Sequence, residues 1–474
     1  MNSTYKVRIW SIKPRKNQKG KVTSYGVRWS VDGGAFYESF KVRTQAEGRH
    51  ADLLSAQRRG EPFDIETGLP RSLVLPRGAD MSWYEFACKY VDVKWPNAAA
   101  TYRRTIAEAL TVATPAMLKA GVAKPDDKAI RSVLCKWAFN PKKRRQEDKP
   151  ADVVNVLRWI ERNSLPLDSA MKPDNARALL NAVVTRLDGK PGARTVARQR
   201  RMILNNALNF AVERELIDVN PVKPLKWTAP KPSRAIDRRR VANPVQARTL
   251  LRAVRKVRRS GPGLYACYAA MYFAALRPEE AVNLRASNLT LPEPTWNGKA
   301  GVWENGWGDI CIEGAAPHAG KAWTDTGKAR DARGLKHRER GEVRHVPCPP
   351  ELTRILREHL TTYGSDADGR LFRGVRGGEV PLITWNRVWQ AARAAALTEE
   401  VAATPLAKRP YDLRHAAVST WLNGGVPATL VAEWAGHSVE VLLEVYAKCL
   451  DGQDQLAMRQ VQQALGHRDP SGER

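Results

Sequence analysis

The C-terminal half of this 474-residue chain holds side chains whose types and spacing can do chemistry on a charged ester. Arg277 ends the run Ala274-Ala275-Leu276 and is followed three residues later by Glu280, so the two can share a helical face and the carboxylate can hold the guanidinium in place. By itself this is an ordinary surface ion pair. Leu335-Lys336-His337-Arg338 and Gly341-Glu342-Val343-Arg344-His345-Val346-Pro347 read as a basic turn between strands, from which a lysine can reach a phosphate or protonate a leaving oxygen. In Arg409-Pro410-Tyr411-Asp412-Leu413-Arg414-His415, Tyr411 and Arg414 are spaced to project together from the start of a helix. Gly436-His437 follows, with Tyr446 nine residues after the histidine. A lone tyrosine in an amphipathic helix is usually a packing residue.

Taken in order, Arg277–x2–Glu280, Lys336, Tyr411–x2–Arg414, Gly436-His437 and Tyr446 resemble the tyrosine recombinase family, the phage-type site-specific integrases. The resemblance is strongest from about Asn243 to Asp451 and extends in layout to the upstream chain. It implies a catalytic set of Arg277, Lys336, Tyr411, Arg414, His437 and Tyr446, with Glu280 and His415 in support. Two guanidiniums stay charged at any physiological pH and can clamp the non-bridging oxygens of a phosphodiester. His437 would add a hydrogen bond, Tyr446 would attack to give a 3′-phosphotyrosine, and Lys336 would protonate the departing 5′-oxygen. Lys321 and Lys328 are the competing lysines, and the spacing to Val346-Pro347 favours Lys336. The resemblance implies no cofactor and no metal, in keeping with the absence of a carboxylate or His/Cys ligand cluster.

One position departs from the family pattern. Tyr411 stands where a histidine usually precedes the second arginine by three residues, and a phenol with a pKa near roughly 10 is a poor base. The base for Tyr446 is thus unassigned. His415, one residue past Arg414, is expected to point elsewhere on the helix and to act as a buried structural histidine.

The elements that must position these residues give a mainly α chain with small β elements. Three domains are expected: an arm-type DNA-binding domain at 1–70 with a three-stranded sheet plus a helix, a helical core-DNA-binding bundle at 78–228, and a mixed α/β catalytic domain at 241–474. Tyr5, Val7 and Ile9 alternate with polar residues, as do Tyr25, Val27, Trp29 and Val31, before the turn Asp32-Gly33-Gly34. Thr44 is expected to cap a helix running to about Gly60, with Glu47 in the capping-box position. Arg198 to Leu216 reads as an amphipathic helix, Trp227 to Asn243 as a basic linker, and Asn243-Pro244 as a helix start. A last helix carries Met458, Val461 and Leu465 on one stripe, able to dock on its own domain or on a neighbouring protomer.

Charge agrees with a polyanionic partner. Seventy-eight Lys and Arg against 49 Asp and Glu give a net charge of +29, and each phosphate neutralised releases counterions. Lys6, Arg8 and Arg28 (which lack acidic neighbours in sequence), Arg198, Arg200, Arg201, Arg238, Arg239 and Arg240 are the candidate DNA contacts. The six cysteines form no CxxC pair, fitting a reduced, cytoplasmic protein, nucleoid-associated when on DNA. No stretch has the length of a membrane-spanning helix. The implied partners are double-stranded attachment sites, a homotetramer on DNA, and an excisionase or host DNA-bending protein. A chromosome or plasmid resolution recombinase and a non-cleaving DNA-binding regulator on the same scaffold are the alternatives.

Overall fold

A computed structural model of the protein describes residues 3–18, 20–70, 73, 81–186, 192–227, 235–335, 339, 341–446, 449, 458, 460–462 and 464–465. The chain is mainly helical with small sheets. It forms two compact units. One gathers Met1–Val93, Glu108–Pro141 and Gln146–Thr228; the other gathers Ala229–Arg474 with Lys94–Ala107 and Lys142–Arg145.

In the first unit, Val22–Val31 is the long strand of an antiparallel sheet. Along one edge it pairs in series with Val7–Ile9 and Lys13–Lys16, and along the other with Gly34–Phe40. The sheet therefore has four strands rather than three. Lys13-Pro14-Arg15-Lys16 shows no apolar alternation because its side chains are all exposed, so only the backbone pairing reveals it. Val27, Trp29 and Val31 face inward and pack with Ala46, Leu53 and Ala56 of helix Arg43–Arg58 and with Phe63. Burying each such large apolar side chain contributes about 1.5–3 kcal/mol. The Trp29 indole donates to the Gly68 carbonyl. Gly68 has φ +69, and a Cβ there would lie 2.4 Å from the Phe36 ring, so only glycine lets the loop close over the sheet.

Two local expectations change. Val42, not Thr44, precedes the helix, without a side-chain cap, and Glu47 instead pairs with Arg43 at 2.9 Å. Lys6 does have an acidic neighbour, because the pairing of Val7 with Val31 brings Asp32 within 3.5 Å of its ammonium group. In the helical part of the same unit, Trp83, Phe86, Tyr90 and Phe210 form one aromatic core. Phe210 lies on helix Arg194–Glu213, which begins four residues before the expected Arg198.

In the second unit, helix Pro244–Lys256 is capped reciprocally by Asn243 and Gln246 with proline in its first turn. Helix Gly261–Phe273 is apolar around its whole circumference, which is the pattern of a helix enclosed on all sides. Residues Ala266 to Phe273 are accordingly all buried, and Tyr268 stacks on Trp385 at 4.4 Å. A three-stranded antiparallel sheet runs in the order Arg344–Cys348, Gly308–Ile312, Leu289–Thr290, with Ile310 opposite Val346. Helices Asp412–Asn423, Ala428–Ala435 and Val439–Tyr446 close the unit around a separate apolar cluster that contains Ala275, Val418, Val431, Leu442 and Tyr446. Further along, Met458, Val461 and Leu465 are exposed.

Candidate active site

Arg277, Glu280, Arg414, His437 and Tyr446, far apart in sequence, meet in the second unit. The chain leaves helix Gly261–Phe273 through Ala275 at φ +50, a conformation an alanine adopts only at a cost. That turn points the Ala275 carbonyl at the guanidinium of Arg414 and places Arg277 at the head of the short helix Pro278–Ala281. Arg277 donates to Glu280 Oε1 at 2.7 Å and to the Gly436 carbonyl at 2.6 Å. Arg414, completely buried on helix Asp412–Asn423, donates to the preceding carbonyl, that of Ala435, and to His437 Nε2 at 2.8 Å. Both guanidiniums are thus tied to consecutive carbonyls of one turn, and that turn delivers His437.

Gly436 makes the turn possible. It ends helix Ala428–Ala435 in the left-handed conformation at φ +64. A Cβ on it would lie 2.5 Å from Arg344 Nη1 and 3.2 Å from Arg277 Nη1, so glycine is required for space as well as for conformation.

Arg344 is the residue that spacing did not single out. Strand Arg344–Cys348 alternates inward and outward, and Val346 and Cys348 point into the core. The same period turns Arg344 inward, where a buried guanidinium needs a carboxylate. It finds Glu280 in a bidentate pair, Nη1–Oε1 3.1 Å and Nη2–Oε2 2.7 Å. Burial alone would raise the Glu280 pKa, but Arg344, then Arg277 and Arg414, hold it down to about 2. Glu280 is thus a fixed anion that neutralises part of a cluster of three guanidiniums.

Among the described residues, three nitrogens of this cluster are buried without a hydrogen-bond partner: Arg344 Nε, Arg414 Nε and His437 Nδ1. Burial lowers the His437 pKa, as do Arg414 and Arg277, to about 3, so the ring is neutral. Its Nε2 accepts from Arg414, which can only donate, so the ring proton sits on Nδ1. All three orphans are therefore N–H donors, each costing about 1–3 kcal/mol if left unsatisfied. Among the described residues, no group of three or more His, Cys, Asp or Glu side chains is placed to hold a metal ion.

Tyr446 ends helix Val439–Tyr446, fully buried, with its ring at a centroid distance of 6.2 Å from that of His437. Its hydroxyl lies 2.9 Å from His415 Nδ1. His415 therefore does not point away from the site. One step along the helix from Arg414 is about 100° of rotation, which carries His415 to the flank where the Tyr446 helix arrives. Tyr411 stands edge-on to the same imidazole at 5.0 Å and 62°. Burial pushes the Tyr446 phenol well above its ordinary value, against the lowering influence of Arg414.

Lys336 lies outside the described residues. Lys6, Arg8 and Arg28 are exposed on the N-terminal sheet, with both arginines beside the Trp10 ring. Arg198 is exposed, Arg200 is half-buried and Arg201 covers the Trp227 ring at 4.4 Å. Arg238, Arg239 and Arg240 form one turn of 3-10 helix, with Arg239 on Asp237 at 2.8 Å. No helix among the described residues is long and apolar enough to cross a membrane.

No family model and no curated protein matches the chain. Among solved structures it is similar to the Tn1549 transposon integrase in complex with a circular intermediate DNA, at TM-score 0.44 and 15% identity over 67% of this chain and 96% of that one. It is similar also to a lambda integrase dimer bound to a COC′ core site, at TM-score 0.42 and 12% identity over 97% and 96% of the two chains. A third is the XerH site-specific recombinase bound to a palindromic difH substrate, at TM-score 0.40 and 13% identity over 77% and 97%.

Proposed function

We propose that this protein is a site-specific DNA recombinase, the integrase of a phage or other integrative element, that breaks and rejoins strands through a 3′-phosphotyrosine on Tyr446. The observation that carries the reading is a set of unsatisfied N–H donors gathered beside a tyrosine hydroxyl. Arg344 Nε–H, Arg414 Nε–H and His437 Nδ1–H are buried orphans beside the guanidinium of Arg277 and one tyrosine hydroxyl. A phosphodiester brings only acceptors, and its charge grows in the pentacoordinate transition state, where preorganised donors act most strongly. Arg277 and Arg414 hold that charge, His437 donates to it, Tyr446 attacks phosphorus, and Lys336 protonates the 5′-oxygen that leaves. Glu280 and Arg344 keep the clamps in place. A non-cleaving regulator has no use for a hydroxyl enclosed among such donors, which favours the enzyme over that alternative.

Around this centre we assign 1–70 to distant arm sites, 78–228 and 241–474 to the core site, and the active form to a homotetramer on DNA with an excisionase or host bending protein. The test is a duplex carrying the direct repeat that borders the element, nicked so that the cleaved end diffuses away. The wild-type chain should form an adduct that survives denaturation, and Tyr446→Phe should form none. An equal yield from both would remove the assignment.

A further inference from the structure

We infer that His415, rather than Tyr411, is the catalytic base that takes the proton from Tyr446 and returns it in the reverse step. This rests on the recombinase reading and supplies the one role left vacant by the tyrosine at position 411. Tyr446 has no solvent exposure, and among the described residues the sole hydrogen-bond partner of its hydroxyl is His415 Nδ1 at 2.9 Å. A phenol has one hydrogen to place and one acceptor in reach, so it donates to Nδ1, and the imidazole carries its own hydrogen on Nε2. Tyr411 packs edge-on against the same ring, its centroid 5.0 Å away. Its place is that of an orienting residue.

The surroundings favour an acceptor over a permanent cation. Arg414 on the same helix, Arg240 from the 3-10 turn and Arg409 from the loop before the helix face His415, together with the phenols of Tyr411 and Tyr446 and the neutral ring of His437. Burial lowers the His415 pKa, as do these guanidiniums, to about 4. With the phenol high and the imidazole low, a free phenolate does not accumulate. The proton moves as the bond forms: Tyr446 Oη bonds to phosphorus, its hydrogen passes to Nδ1, and the bond to the 5′-oxygen breaks with that oxygen protonated by the separate acid, Lys336. In the return step the incoming 5′-hydroxyl gives its proton back to Lys336 as its oxygen bonds to phosphorus, the bond from phosphorus to Tyr446 Oη breaks, and the imidazolium hands its proton to the departing Tyr446 oxygen. The phosphate also cancels part of the Arg414 field, which makes the imidazole more basic when DNA is bound than when it is absent.

The experiment uses the full chain and the nicked direct-repeat duplex, with single-turnover adduct formation followed against pH. His415→Asn keeps an acceptor near the Nδ1 position but cannot carry the proton. It should slow cleavage by about 10²- to 10⁴-fold, the usual worth of a positioned base, and erase the fall in rate at acid pH. In His415→Ala, added imidazole should restore part of the rate. A His415→Asn rate and pH profile equal to wild type would overturn the proposal, as would a slowed variant that keeps the wild-type acid limb and gains nothing from imidazole. Should both variants fail to fold, ¹⁵N-histidine shifts of the wild-type chain decide. An unprotonated Nδ1 on His415 is expected, and a protonated one overturns the assignment. Absence of any wild-type adduct would instead strike the recombinase reading itself.

Discussion

The protein carries arginine in two contrasting settings. On the N-terminal sheet, Arg8 and Arg28 project into solvent beside Trp10, and Lys6 reaches Asp32 only across an exposed 3.5 Å gap. In the second unit, Arg344 and Arg414 are buried, and their hydrogen bonds go to a carboxylate, to backbone carbonyls and to a histidine. Exposed cations are screened and contribute little to stability, so under the proposed function their part is long-range attraction to a polyanion. The enclosed ones lose hydration, and Glu280 and the carbonyls of Ala275 and Ala435 are the fixed acceptors that take its place. One setting leaves its charge open to solvent, and the other fixes its charge in place.

That contrast can be broken by mutation. The largest effect should come from Glu280→Gln, which removes the anion from between Arg277 and Arg344 and leaves buried charge uncompensated. A loss of about 3–5 kcal/mol is expected in denaturant unfolding, and a loss below about 1 kcal/mol would mean that the cluster is not held by this carboxylate. Gly436→Ala comes next. The left-handed backbone costs about 1–2 kcal/mol for a residue with a Cβ, and the Arg344 guanidinium must also move. Loss of the DNA adduct should exceed the loss of stability, and a fully active alanine variant would contradict the geometry of the turn.

The pH dependence of stability sharpens the same point. Glu280 has a folded-state pKa near 2, below its ordinary value of 4.5. Its contribution is therefore complete above about pH 4.5 and fades as pH falls toward 2. Unfolding free energy should drop through that window, and the part of the drop due to Glu280 should vanish in the glutamine variant. The smallest effect on stability belongs to the exposed set. Replacing Lys6, Arg8 and Arg28 by alanine should change stability by no more than about 0.5 kcal/mol each. The slope of log affinity against log salt should become shallower by about one unit for each phosphate that is no longer neutralised. An unchanged slope would take the N-terminal sheet out of the DNA interface.

The sequence was most informative where chemistry imposes spacing. Arg277 and Glu280 are brought together as their three-residue interval suggested, and Arg414 and His437, linked in the sequence only through the family resemblance, meet as well. It was less informative where the partner comes from another element. Arg344 lay in a segment read as a basic turn but starts a strand, and its role depends on Glu280, 64 residues away, closing on its inward face. His415 was placed by counting around its own helix, whereas its neighbour is set by the angle at which the Tyr446 helix packs, which no local periodicity encodes. The fourth strand of the N-terminal sheet escaped for a related reason, since a strand with only exposed side chains leaves no two-residue apolar rhythm.

The most direct test of the central claim is to digest the adduct with nuclease and protease and locate the nucleotide by mass spectrometry. A 3′-phosphonucleotide on the Tyr446 peptide is the expected result. The same modification on another residue, Tyr411 included, would contradict the account.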